Sequence, residues 1–74
     1  MKDEDILKGF SKRVKELRIK KGLTQQELAE SADMEYKYIQ KIEGKTPPSI
    51  GIVKLVRLIK ALGVSVSQFF KFLK

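Results

Sequence analysis

Residues 24–44 read TQQELAESADMEYKYIQKIEG, and this stretch decides the fold. Thr24-Gln25-Gln26-Glu27 is a capping box: a threonine whose hydroxyl accepts from a backbone N–H three residues on, and a glutamate that reaches back. The helix it opens runs to about Ser31, with Leu28 and Ala29 turned inward and Ala32 close behind. A second helix begins near Glu35, carries Ile39 and Ile42 inward, and stops at Gly44. Two short helices and a tight turn make a helix-turn-helix corner. Such a crossing needs a small residue where the helices meet, a place Ala29 takes, and a branched apolar pair opposite, supplied by Ile39 and Ile42. The turn needs a residue that tolerates the left-handed region and an apolar plug, and Asp33 and Met34 stand there.

Outside this corner the apolar residues keep helical spacing, and no run alternates over the length of a strand. A first helix starts within Asp3–Asp5, where acids suit the positive terminus, and ends at Lys20-Lys21-Gly22. Its stripe is Ile6, Phe10, Val14 and Leu17, and Gly9 is expected to weaken its first turns. Lys45 to Gly51 is a loop, because no helix continues through Pro47-Pro48. A fourth helix, capped by Ser49 or Gly51, presents Ile52, Leu55, Ile59 and Leu62 and closes at Gly63. A second capping box, Ser65-Val66-Ser67-Gln68, opens a fifth helix expected to reach about residue 73, with Phe69, Phe70, Phe72 and Leu73. The expectation is an all-α, five-helix fold forming one domain over residues 1–74.

Composition narrows the function. The chain has no cysteine and no histidine, which excludes a disulfide framework and leaves carboxylates alone as metal ligands. No metal or cofactor is expected. The N-terminus is acidic and no stretch approaches the ~20 apolar residues of a membrane span, so the chain reads as cytoplasmic. Sixteen Lys and Arg against nine Asp and Glu give +7, which invites a polyanion. The excess is uneven: residues 1–43 sum to +1 and residues 44–74 to +6. No nucleophile–base pair or matched carboxylate pair emerges, so no enzyme is read.

The chain resembles the phage-repressor and Cro type of helix-turn-helix protein, the XRE type, from about Phe10 to Phe70. The resemblance rests on Val14-Lys15-Glu16-Leu17-Arg18, on Lys21 to Ala29, on Tyr38 to Lys45, and on Ala61-Leu62-Gly63-Val64-Ser65. It implies a phage-repressor-like DNA-binding domain in which the second helix of the motif enters the major groove. On this chain the base-reading residues would be Tyr36, Lys37, Gln40 and Lys41. Lysine can donate to guanine O6 and N7, and glutamine can pair with adenine. Thr24, Gln25, Gln26, Lys45 and Thr46 would contact phosphate, and Arg18 with Glu43 would form a structural ion pair. The family usually has glycine where this chain has Asp33, and the Pro47-Pro48 loop does not keep the family's spacing.

The aromatic tail exceeds what one short helix hides, so Phe70, Phe72 and Leu73 are expected to form a homodimer interface. Two recognition helices would then meet a pseudo-palindromic operator of double-stranded DNA. The short, single-domain form resembles restriction–modification controller proteins and small phage repressors, with no small-molecule ligand expected. Two other classes compete: an antitoxin-like interaction module with autoregulatory DNA binding, and a basic membrane binder using Lys54, Arg57, Lys60, Lys71 and Lys74.

Overall fold

Capping boxes open two of the helices and left-handed glycines close two. In the computed structural model, which describes residues 2–73, the helices are α1 (Asp3–Lys21), α2 (Gln25–Ser31), α3 (Tyr36–Ile42), α4 (Ile52–Leu62) and α5 (Val66–Phe69). Thr24 Oγ1 accepts from the Glu27 N–H at 3.0 Å, while the Thr24 N–H donates to Glu27 Oε1 at 2.8 Å. Ser65 and Gln68 repeat the exchange at 3.1 and 3.0 Å. At the other ends, Gly22 and Gly63 cap α1 and α4 in the left-handed region, φ 80° and 73°, where a side chain would be strained.

One apolar core joins all five helices. Phe10, Val14 and Leu17 of α1 meet Leu28 and Ala29 of α2, Ile39 and Ile42 of α3, and Leu58, Ile59 and Leu62 of α4. Phe69 closes the core from α5, fully buried, with its ring edge-to-face on Phe10 at 5.8 Å. On α4 the inward face is rotated from the expected one. Leu58 is buried, whereas Ile52 is 75% exposed and points outward. Ile6, at the start of the α1 stripe, is likewise on the surface.

The chain after Phe69 also departs from expectation. The fifth helix ends there, and Phe70–Phe72 form a 3-10 turn instead of a continued α-helix. The turn folds back so that the Phe72 ring lies on Gly9. A Cβ added at Gly9 would stand 2.6 Å from Phe72 Cδ2. Gly9 is therefore a seat for an aromatic ring, and α1 runs through it without a break. Phe70 and Phe72 are half-buried and pack on the core, with Phe69 rings at 5.0 and 6.1 Å.

Gly9→Ala should accordingly destabilise the domain, the helix-propensity gain of about 1 kcal/mol being outweighed by a clash worth about 1–3 kcal/mol. In a Phe72→Ala background the same change should become stabilising. Thermal unfolding of the four proteins checks the sign reversal, and additive effects would refute the seat.

Two cations tie the second half of the chain to α1. Arg13 donates through Nε to the Phe69 carbonyl at 3.1 Å, and its guanidinium also bonds the Gln68 carbonyl and Glu16. Lys21 Nζ donates to the Ala61 carbonyl at 2.9 Å. Both satisfy carbonyls that helices leave orphaned at their C-termini. Lys21 thus serves the end of α4 as well as the end of its own helix.

Candidate nucleic-acid interface

The corner of α2 and α3 is built as its residues require. Asp33 has φ 55°, the left-handed conformation that lets the chain reverse, and the Met34 N–H donates to the Ala29 carbonyl at 2.8 Å. Aspartate takes the place of a glycine here at modest cost, because its short polar side chain tolerates this region. Met34 is half-buried against the core as the plug. Ile39 and Ile42 are fully buried, so the opposite side of α3 must face outward.

That outward side carries Tyr36, Lys37, Gln40 and Lys41, all exposed. Three- and four-residue spacing places them in one strip along the helix. No hydrogen bond or ion pair occupies Lys37, Gln40 or Lys41 among the described residues. Tyr38 is different: it is half-buried, and Lys54 Nζ sits 4.5 Å above its ring.

Beside the strip stands the start of α2. The Thr24 N–H is committed to Glu27 and its hydroxyl oxygen accepts from the Glu27 N–H, so the N–H groups of Gln25 and Gln26 are the donors still turned outward. Gln25 is half-buried, and its Nε2 donates to Glu43 Oε1 at 3.2 Å. One N–H of that amide is therefore spent inside the protein and one remains. Gln26, Lys45 and Thr46 are exposed on the surface.

The position of α3 depends on a shared buried carboxylate. Glu43, its side chain 2% exposed, receives Arg18 Nε at 2.7 Å and Arg18 Nη2 at 3.0 Å. A bidentate pair of this kind fixes orientation as well as distance. Arg18 Nη1 donates in addition to the Leu23 carbonyl at 2.8 Å, so α1, the α1–α2 turn and the end of α3 are locked together. Gln25 adds α2 to the same carboxylate.

Sequence reasoning missed a fourth tie. Ser11, buried in α1, has its Oγ 3.3 Å from the Gly44 carbonyl, to which it donates just past α3. A lone serine on an apolar stripe was the available signal, since a buried hydroxyl needs a partner.

An α2–turn–α3 corner with an outward polar strip, clamped by a buried ion pair to a preceding helix, defines a helix-turn-helix domain. The family model for "Helix-turn-helix" (HTH_3) matches residues 14–69, and the chain belongs to that family. Comparison with curated proteins gives no match. Among solved structures it is similar to the wild-type restriction-modification controller protein C.Esp1396I, at 34% identity over 88% of this chain and 83% of that one, TM-score 0.80. It is similar also to the controller protein C.AhdI from Aeromonas hydrophila, at 29% identity over 89% of this chain and 98% of that one, TM-score 0.81. The C.Esp1396I tetramer in complex with its natural 35 base-pair operator matches at 33% identity over 92% and 95% of the two chains, TM-score 0.81.

Proposed function

We propose that this chain is a DNA-binding transcriptional regulator that reads an operator through α3. The observation that carries the reading is the strip of Tyr36, Lys37, Gln40 and Lys41. It is exposed, its two lysines and glutamine have no internal partner among the described residues, and it is held from behind by Glu43. With α3 in the major groove, Lys37 and Lys41 donate to guanine edges and Gln40 pairs with adenine. Tyr36 lies at the leading end. Phosphate contacts come from the backbone donors at Gln25 and Gln26, the remaining Gln25 amide N–H, and the side chains of Thr24, Gln26, Lys45 and Thr46. Likeness to a controller protein described in complex with its operator supports the same reading.

The chain acts as a homodimer on a pseudo-palindromic site, its two recognition helices about 34 Å apart. The apolar surface supporting this lies less on the tail than on α4. Phe70 and Phe72 spend much of their area on Gly9, Phe69 and the core, leaving Leu73, 40% exposed, as the outward part of the tail. On α4, Ile52, Val53 and Val56 are 75, 62 and 39% exposed, three β-branched residues within two turns. A surface of this kind marks an interface.

Binding of labelled duplex, measured by anisotropy against salt, tests the function. A specific operator should be held tightly, with log affinity falling linearly in log salt. Lys37→Ala or Lys41→Ala should each relax base preference by about 1–3 kcal/mol, whereas Lys45→Ala should weaken all sequences alike. Salt-independent or absent binding overturns the proposal.

A further inference from the structure

Much of the positive charge is not on the operator-reading side. A cavity of about 450 Å³ lies between α1 and the α4–α5 end of the molecule, and a second of about 280 Å³ adjoins it. The two share Arg13, Glu16 and Lys71, so they form one continuous groove. Its rim is cationic: Lys12, Arg13, Lys20, Lys21 and Lys71, against the single acid Glu16, which is already bonded to Arg13. Lys12, Lys20 and Lys71 make no hydrogen bond or ion pair among the described residues. Beneath the rim lie Leu17 and Leu62, 6 and 3% exposed, and the accessible apolar part of the floor comes from half-buried Val64 and, at the far end, Phe72.

The groove faces away from the recognition helix. Ser11 and Arg18 mark the side of α1 that bonds Gly44 and Glu43. Arg13, Glu16 and Lys20 each lie two residues from one of these, about 200° around the helix. A ligand in the groove leaves the Tyr36–Lys41 strip open.

We propose that this groove docks an acidic peptide segment of a partner protein, anchored by an apolar side chain on its floor. Charge complementarity selects an anionic occupant, and the apolar floor selects one with apolar as well as acidic groups. Length selects a peptide: Lys12 to Lys20 spans about 12 Å along α1, the reach of roughly four extended residues. A simple anion would gain nothing from the floor. Duplex DNA has no apolar side chain to place there. The proposal does not depend on operator reading; it gives a DNA-bound regulator a second face through which another protein is held.

The test uses the full chain and a labelled peptide, Glu-Glu-Leu-Glu-Glu-Leu, followed by anisotropy. Saturable binding is expected, falling at least about tenfold in a Lys20→Glu/Lys71→Glu variant. Lys8→Glu/Lys15→Glu, matched in charge on another side of α1, should keep it. The peptide should also bind the protein–duplex complex, so failure of the groove and failure of operator reading are separable. Equal loss in both variants, displacement of the peptide by duplex, or equal binding of a peptide with Ser for Leu would each overturn the proposal. So would equally effective competition by inorganic phosphate.

Discussion

Replacing Glu43 by alanine should cost about 3–5 kcal/mol of unfolding free energy, because it strands a largely buried guanidinium. Arg18 is 12% exposed and gives two of its donors to Glu43 at 2.7 and 3.0 Å. Without the carboxylate only the Leu23 carbonyl remains. In a domain of this length each kcal/mol moves the melting midpoint by roughly 4–8 °C. The loss should appear as a large downward shift in calorimetry. Gln25 loses its anchor at the same time, so operator affinity should fall further than reduced stability explains when measured well below the midpoint. Replacing both partners, Arg18→Met with Glu43→Leu, should recover much of the stability, since no buried charge is then uncompensated. It should not recover DNA affinity, because Gln25 is still unheld. A cost below about 1 kcal/mol for Glu43→Ala would mean that the pair behaves as a solvated surface contact.

The helix-turn-helix was readable because its requirements are local. The Thr24–Glu27 capping box, a small residue at Ala29 and a left-handed position at Asp33 each act over three or four residues, and each is realised. Contacts between distant segments were less accessible. The Arg18–Glu43 pair, separated by 25 residues, came from family resemblance. The Ser11–Gly44 and Arg13–Phe69 bonds, separated by 33 and 56 residues, have no local pattern at all. The α4 face was misjudged for a related reason. Its apolar residues cover more than half the helix circumference, so periodicity alone does not say which edge turns inward. Burial of Leu58 and exposure of Ile52 are decided by what packs there.

Net charge pointed to a polyanion without locating it. The motif, residues 24–43, holds Lys37 and Lys41 against Glu27, Glu30, Asp33, Glu35 and Glu43. The basic second half is divided among separate tasks. Lys54 covers Tyr38 at 4.5 Å, Arg57 approaches Asp33 at 3.9 Å, and Lys71 lines the groove behind α1. Lys74 lies outside the described residues. Among the described residues no helix is long and apolar enough to cross a membrane.

The largest functional loss should come from dividing the proposed dimer. With Ile52→Glu and Val56→Glu, two carboxylates occupy the exposed edge of α4, one turn apart. Neither side chain belongs to the buried core, so the monomer should stay folded, with a melting midpoint close to that of the parent. In a two-fold interface the same patch meets itself, so each substitution sets like charges against each other and strips them of water. The variant should sediment as a monomer at concentrations where the parent is dimeric. Affinity for a two-half-site operator should fall by about 10²–10⁴-fold, because the second recognition helix no longer binds at a high effective concentration. Affinity for an isolated half-site should be unchanged, since α3 and its clamp are untouched. Leu73→Glu, made alone, separates the surfaces: an equal loss would return the interface to the tail, and a small one would leave it on α4. If the α4 variant remains dimeric and keeps full operator affinity, the dimer is formed by a different face.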